Sequence, residues 1–395
     1  MRFFLLGTAA IVLIGCMGDG RGEASAQEDT AADTREPTDT SPGAPPFEAT
    51  PVADMDEPWA MTFLPDGRML ITEKAGTLRL VTQDGEVSDP IAGVPEVDYG
   101  GQGGLGDVVL APDFAESGMV YLTFAEAGEG DTRGAAMGRG RLNLDTMAFD
   151  TFDVVWRQVP KVTGRGHYGH RIAFSPDGQY LFLTSGERQK FDPAQDLSMN
   201  LGGILRLNPD GTPAEGNPWA SEGSPADERW TMGNRNPLGI AFAPDGTLWE
   251  HEMGPKGGDE FQQVEEGANY GYPIVSNGDH YDGRDIPDHG TVDQDFREPE
   301  EWWTPVISPA GMIFYTGDRF ADWQNDALIG GLSSQALVVA TRDCQLNGRE
   351  VCEETRYDMG ARVREVEQGP DGTVWVLEDG TKGSGGRLLH LTPRG

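Results

Sequence analysis

Positive charge is what this chain has least of. Lysine and arginine together number 30 against 65 aspartates and glutamates, a formal net charge of -35. Lysine is scarce, so most of the positive charge is arginine. A surface of that sign repels phosphate backbones and excludes nucleic acid as a partner. Cysteine is nearly absent, at 3 in 395 residues. Cys344 and Cys352 have no histidine or further cysteine near them at ligand spacing, which argues against a metal site built on them. A helix-favouring composition is lacking too, since Gly 55 and Pro 27 exceed the usual share and fit many short strands joined by tight turns.

The apolar run Phe3 to Gly15, preceded by Arg2, is too short to span a bilayer comfortably and has the shape of a signal-peptide core. It ends Leu13-Ile14-Gly15-Cys16, which resembles a bacterial lipoprotein box, with residues 1–16 as signal and Cys16 the lipidated first residue. A plain secretory signal cut nearer Ala24 or Ala26 is the alternative. Both readings place the mature protein outside the cytoplasm, and the first tethers it in the periplasm without a spanning helix. Residues 17–48 carry almost no large apolar side chain and read as a disordered acidic tether, with the ordered part, 49–395, starting at Pro51. An oxidising compartment permits a Cys344–Cys352 disulfide; two free thiols are the alternative.

Beyond the tether a strand-turn-strand unit recurs. It is clearest at Trp59 to Glu73, Ile172 to Thr184, Ile240 to Trp249 and Arg364 to Val376, each bent at a Pro-Asp-Gly turn. Val108 to Phe114 and, more weakly, Gly311 to Asp318 complete about six copies. Such a repeat predicts an all-β fold, a β-propeller, whose loops before the repeated strands converge at one mouth. A β-sandwich explains the long repeat less well.

Several loop segments carry chemistry. In Gly100 to Gly106, Gln102 is the one large polar side chain in a glycine run; no helix pattern follows, so a nucleotide fingerprint is excluded. In Gly164 to Arg171, His167 sits at a loop-to-strand junction, a candidate proton acceptor with Arg171 as its fixed charge, or a surface histidine capping a turn. Arg235 beside Asn236 offers a planar cation and an amide suited to a polyanionic, carbonyl-bearing ligand. Gly254 and Pro255 can present carbonyls, and Glu260 a carboxylate, to Ca2+, although the usual twelve-residue calcium loop is missing. Arg362 and Arg364 share one face of an extended segment and need anions, supplied by a polycarboxylate ligand or in part by solvent-facing Glu365 and Glu367.

Taken together and in this order, these segments and Asn269-Tyr270-Gly271-Tyr272-Pro273 resemble the PQQ-dependent soluble aldose sugar dehydrogenases of the glucose/sorbosone dehydrogenase family, from about Pro51 to Pro393. The resemblance implies a six-bladed propeller and oxidation of an aldose's anomeric hydroxyl to a lactone, by hydride transfer to PQQ with Ca2+ polarising the quinone. It implies His167 as general base and Arg235 as its catalytic companion. Gln102, Arg235, Asn236, Tyr281, Gly331, Arg362 and Arg364 would hold PQQ, and Gly254, Pro255, Glu260 and Tyr270 would ligate Ca2+. The implied partners are an aldose and an electron acceptor, for a chain that is a monomer or a homodimer. Two positions depart from the pattern. Ser333 stands where the family often has a lysine on a PQQ carboxylate, with backbone groups of Gly331 and Leu332 as partial substitutes, and His170 stands where a small residue is common and is expected to narrow the pocket. A propeller that only binds, without redox chemistry, is the alternative of another class; a propeller hydrolase would need a ring of Asp, Asn and Glu that the sequence does not display.

Overall fold

The structure, a computed structural model, describes residues 44–342, 344, 351–383 and 385–394. The signal segment, Cys16 and the tether up to residue 43 lie outside the described residues. No helix among the described residues is long and apolar enough to cross a membrane.

The strands form six antiparallel blades in chain order. Their innermost strands are Pro58–Phe63, Leu105–Leu110, Gly169–Phe174, Pro237–Phe242, Pro309–Phe314 and Val363–Gln368. Each contacts the next, and the last contacts the first, so the six close a ring. The second strands, such as Met69–Glu73, Leu181–Ser185 and Val374–Glu378, are buried along their whole length. Neighbouring blades cover both of their faces, which explains apolar runs where a one-sided sheet would alternate. The core accordingly lies between blades: Trp59, Leu70 and Leu78 of the first pack with Leu105, Leu122 and Phe124 of the second.

The repeated units are the first two strands of each blade. Gly67, Gly178, Gly246 and Gly372 close the Pro-Asp-Gly turns at φ 86°, 69°, 86° and 81°, a region open to glycine at little cost. In each turn the aspartate accepts the N–H two residues on, at 3.0, 3.0, 3.0 and 3.1 Å for Asp66, Asp177, Asp245 and Asp371, the local bond that makes Asp a turn former. The weak copy has no such turn. Its strands Pro309–Phe314 and Ala327–Gly331 are joined by a longer connection holding a short helical turn, Ala321–Trp323.

The last blade takes its outer strand from the other end of the chain: Phe47–Asp54 pairs with Arg387–Pro393, Phe47 opposite Pro393 and Asp54 opposite Arg387. The ordered part therefore begins before the expected boundary at 49. Phe47 is 3% exposed and meets the rings of Trp323 and Tyr357 at 5.9 and 5.5 Å, so its burial draws Phe47 and Glu48 into the blade. Cys344 and Cys352 are joined by a disulfide.

Candidate active site

The loops that enter the inner strands are bonded to one another at one end of the ring. Gln102 donates its N–H to the Arg165 carbonyl at 2.8 Å and accepts the His167 N–H on Oε1 at 2.6 Å. Asn236 Oδ1 accepts the Gly169 N–H at 3.2 Å, and Glu187 donates its N–H to the Arg235 carbonyl at 2.9 Å. A cleft of about 230 Å³ opens there, lined by His167, Glu187, Arg235, Pro255, Tyr272 and Tyr281 among others. Tyr281 stands at its rim, 75% exposed.

His167 Nδ1 bonds Glu187 Oε1, which leaves Nε2 as the ring nitrogen available for proton transfer. Glu187 does a second job with the same carboxylate. It accepts the N–H groups of Gln189 at 2.9 Å, of Lys190, and of Phe191 at 2.6 Å. Those bonds hold a strained segment, since Arg188, Gln189 and Phe191 all have left-handed φ, at 64°, 59° and 65°. Burial would raise the Glu187 carboxyl, but the His167 bond and charge and the Phe191 N–H more than offset it, and it lies below the ordinary value. Burial holds the His167 imidazole below its ordinary value despite Glu187, and the charges of Arg235 and Arg188 add to that. A lowered pKa and a ring fixed by Glu187 are what a proton acceptor needs.

Arg235 donates from Nη1 to the Met253 carbonyl at 2.6 Å, and its guanidinium stands 5.7 and 6.0 Å from the ring centroids of Tyr272 and Tyr281. Among the described residues its Nε has no partner, nor do Asn236 Nδ2 and Arg364 Nε, all three buried. Unpaired buried donors are costly, and a carbonyl or carboxylate oxygen in the cleft would satisfy that of Arg235. Arg362 and Arg364 converge on Asp379 Oδ2 at 2.9 and 3.1 Å, and Arg362 Nη1 reaches the Leu332 carbonyl at 3.2 Å. Burial lowers Arg364 to about 10, opposed by Asp379.

Beyond Arg235 lies a second cavity of about 10 Å³, lined by Glu252, Met253, Gly254, Glu260, Tyr270 and Arg235 itself, among others. Its donors are hard oxygens, the type that Ca2+ takes. Glu252 is pushed up to about 8 by burial and by the charge of Glu260, a penalty that a cation would remove. Among the described residues no group of three or more His, Cys, Asp or Glu side chains is placed to hold a metal, so an ion here would depend on backbone carbonyls as well.

The glucose/sorbosone dehydrogenase profile matches residues 55–390. The chain belongs to that family. It is 40% identical over 345 residues to the aldose sugar dehydrogenase YliI of Escherichia coli strain K12, covering 86% of this chain and 91% of that protein. Its fold is similar to the crystal structure of the soluble E. coli aldose sugar dehydrogenase in the apo form (TM-score 0.82, 39% identity, 88% of this chain and 100% of that one). It is also similar to the PQQ-bound aldose sugar dehydrogenase of Streptomyces coelicolor (TM-score 0.72, 26% identity, 89% of this chain and 100% of that one).

Within this glucose/sorbosone dehydrogenase fold the expected site residues divide into groups. His167, Arg235, Pro255 and Tyr281 line the cleft. Gln102 and Asn236 brace the loops behind it. Gly254, Glu260 and Tyr270 line the small cavity. Gly331 ends a buried strand, and it and the arginine pair are not among the residues lining the cleft.

Four expectations are corrected. Arg171 is not the charge beside His167: it is buried in the central channel, bonded to Glu365 and Asp107 and stacked 4.0 Å over Trp59. His170 does not narrow the cleft, because it stacks on Trp59 at 4.9 Å and bonds Thr123 Oγ1 at 2.7 Å. Glu365, 3% exposed, is not solvent-facing, and the arginine pair is relieved by Asp379 instead. Leu332 has no backbone group to spare for a ligand: its N–H binds the Ser308 carbonyl and its carbonyl accepts Arg362, while Ser333 Oγ turns to the Val306 carbonyl at 3.1 Å. Glu187, Glu252 and Asp379 were missed. They are three among 65 acidic residues, and no local motif marks them.

Proposed function

We propose that this chain oxidises the anomeric hydroxyl of aldose sugars to lactones, with PQQ as hydride acceptor and Ca2+ beside it. The observation that carries the reading is the His167–Glu187 pair in one cleft with Arg235. The unpaired buried Nε of Arg235, a residue of the cleft wall, fits a carboxylate-bearing ligand, and the Glu252–Glu260 cavity with Gly254 and Tyr270 fits a calcium ion. When bound, the quinone supplies a hydride acceptor and the calcium ion a Lewis acid.

The chain's own residues do the rest. His167 Nε2 takes the hydroxyl proton of the sugar, and Glu187 keeps the ring turned and stabilises the imidazolium that forms. Arg235 supplies a fixed positive charge where negative charge develops. Tyr272 and Tyr281 supply apolar surface next to it.

Purified protein reconstituted with PQQ and Ca2+ is expected to reduce an artificial dye with glucose or other aldoses. His167→Ala is expected to lose about 10²- to 10⁴-fold in turnover while still binding PQQ, and unchanged turnover in that variant removes the base assignment. Ser333 at the lysine position favours a second reading, a propeller that binds its ligand without turnover; PQQ binding with no dye reduction across a panel of aldoses would select it.

We also propose a periplasmic, lipid-anchored mature form. Its support is the Leu13-Ile14-Gly15-Cys16 box, and the mass of the mature N-terminal peptide tests it.

A further inference from the structure

Arg235 is a wall shared by two cavities. On one side it faces the cleft with His167, and on the other the ion-sized cavity with Glu252 and Glu260. Glu252 lines the second cavity and bonds the backbone of the residue that also lines the first. Strand Leu248–Glu252 pairs with Asp259–Gln263 so that Glu252 stands directly opposite Glu260, and the two residues are 3% and 5% exposed. Like charges facing each other across a buried strand pair are destabilising. Among the described residues that line this cavity, Arg235 is the one cation; His289 Nε2 approaches Glu260 from outside the lining at 3.2 Å.

The two oxygens of Glu252 are used differently. Oε2 accepts the backbone N–H of Arg235 and, at 3.0 Å, that of Asn236. Among the described residues Oε1 has only a long contact, 3.4 Å, from Gln262 Nε2. One oxygen therefore sets the backbone that carries Arg235, and the other is weakly held. Arg235 itself is 4% exposed and its Nε has no partner among the described residues, so the residue that Glu252 positions carries a donor free to bind in the cleft.

We propose that Glu252 is a positioning residue that couples the two cavities: a divalent cation held between Glu252 and Glu260 fixes the Glu252 carboxylate, and through its Oε2 the Arg235–Asn236 backbone. The inference rests on the reading of the small cavity as a calcium site. Coupling of this kind is reciprocal, so calcium and a polycarboxylate cofactor raise each other's affinity by the same factor, on the order of 5- to 150-fold.

The test uses the chelator-stripped full chain and calcium chloride. Calorimetric titration is expected to show calcium affinity about 10- to 100-fold weaker in Glu252→Gln. Amide hydrogen exchange is expected to slow at Arg235 and Asn236 when calcium is added to the wild type, and to respond less in Glu252→Gln. Glu252→Asp keeps the charge but shortens the reach. It serves as the second variant should Glu252→Gln fail to fold, and it is expected to weaken calcium and loosen the same two amides. Wild-type calcium affinity in both variants, or amides at 235 and 236 indifferent to calcium in the wild type, overturns the proposal. Absence of PQQ-dependent dye reduction alongside intact calcium effects would instead remove the oxidoreductase reading and leave the link standing.

Discussion

Glu187 shows how much one side chain does here. It fixes the His167 ring and accepts three backbone N–H groups from a segment whose φ angles its residues would not adopt unaided. Glu187→Gln keeps the size but loses the charge, and dye reduction is expected to fall about 10²- to 10⁴-fold. The sign of the pH effect follows from the base. In the proposed mechanism His167 works unprotonated, and its pKa lies below the ordinary 6.5, so the rate should rise with pH through a limb below 6.5 and then level. Glu187 raises the His167 pKa against burial, so the variant's limb should shift to lower pH; a pH–rate profile reads both effects. His167 was legible as a histidine among glycines at a strand entrance. Glu187 was not, because its partner is 20 positions away and only the fold brings them together.

At the scale of the element, the Pro-Asp-Gly turns are local chemistry, and local chemistry is what a sequence displays best. Proline presets its own φ, aspartate accepts the N–H two residues on, and glycine takes the left-handed place. Gly246 isolates the last contribution: φ is 86°, and an added Cβ would meet nothing within 4 Å. Gly246→Ala is therefore expected to cost about 1 kcal/mol through backbone strain alone, read as a lower midpoint of denaturant unfolding with dye reduction unchanged. The fifth blade had a weaker signature because a longer connection replaces that turn. The arginine pair was read correctly as sharing a face. Of its expected protein counter-ions, Glu365 is replaced by Asp379, which reaches the pair from the end of the next strand while Glu365 turns into the channel.

For the whole molecule, closure is the governing feature. The ring is completed by pairing the start of the ordered chain with its end, and Phe47 seats that strand against Trp323 and Tyr357. Phe47→Ala removes a buried ring and is expected to cost about 3–5 kcal/mol, measured by equilibrium unfolding. Because the six blades bury one another's faces, the loss should lower the melting temperature of the whole ring. A variant in which only the outer strand loosens, with the other blades as stable as before, would contradict that. The cleft is walled by residues of two neighbouring blades, the third and the fourth.

What the sequence determined by itself is whatever depends on neighbours within a few residues. That includes the turns, the repeat and hence the propeller, and the glycine-rich loops with their histidine and arginines. What only the tertiary structure decided is which carboxylate meets which cation. Charges act through space, and in a chain with 65 acidic residues no spacing rule shows that Glu187 belongs to His167, Glu252 to the Arg235 backbone and Asp379 to the arginine pair. Each of those pairings joins the first two strands of one blade, or the residues flanking them, and exists only once those strands have paired.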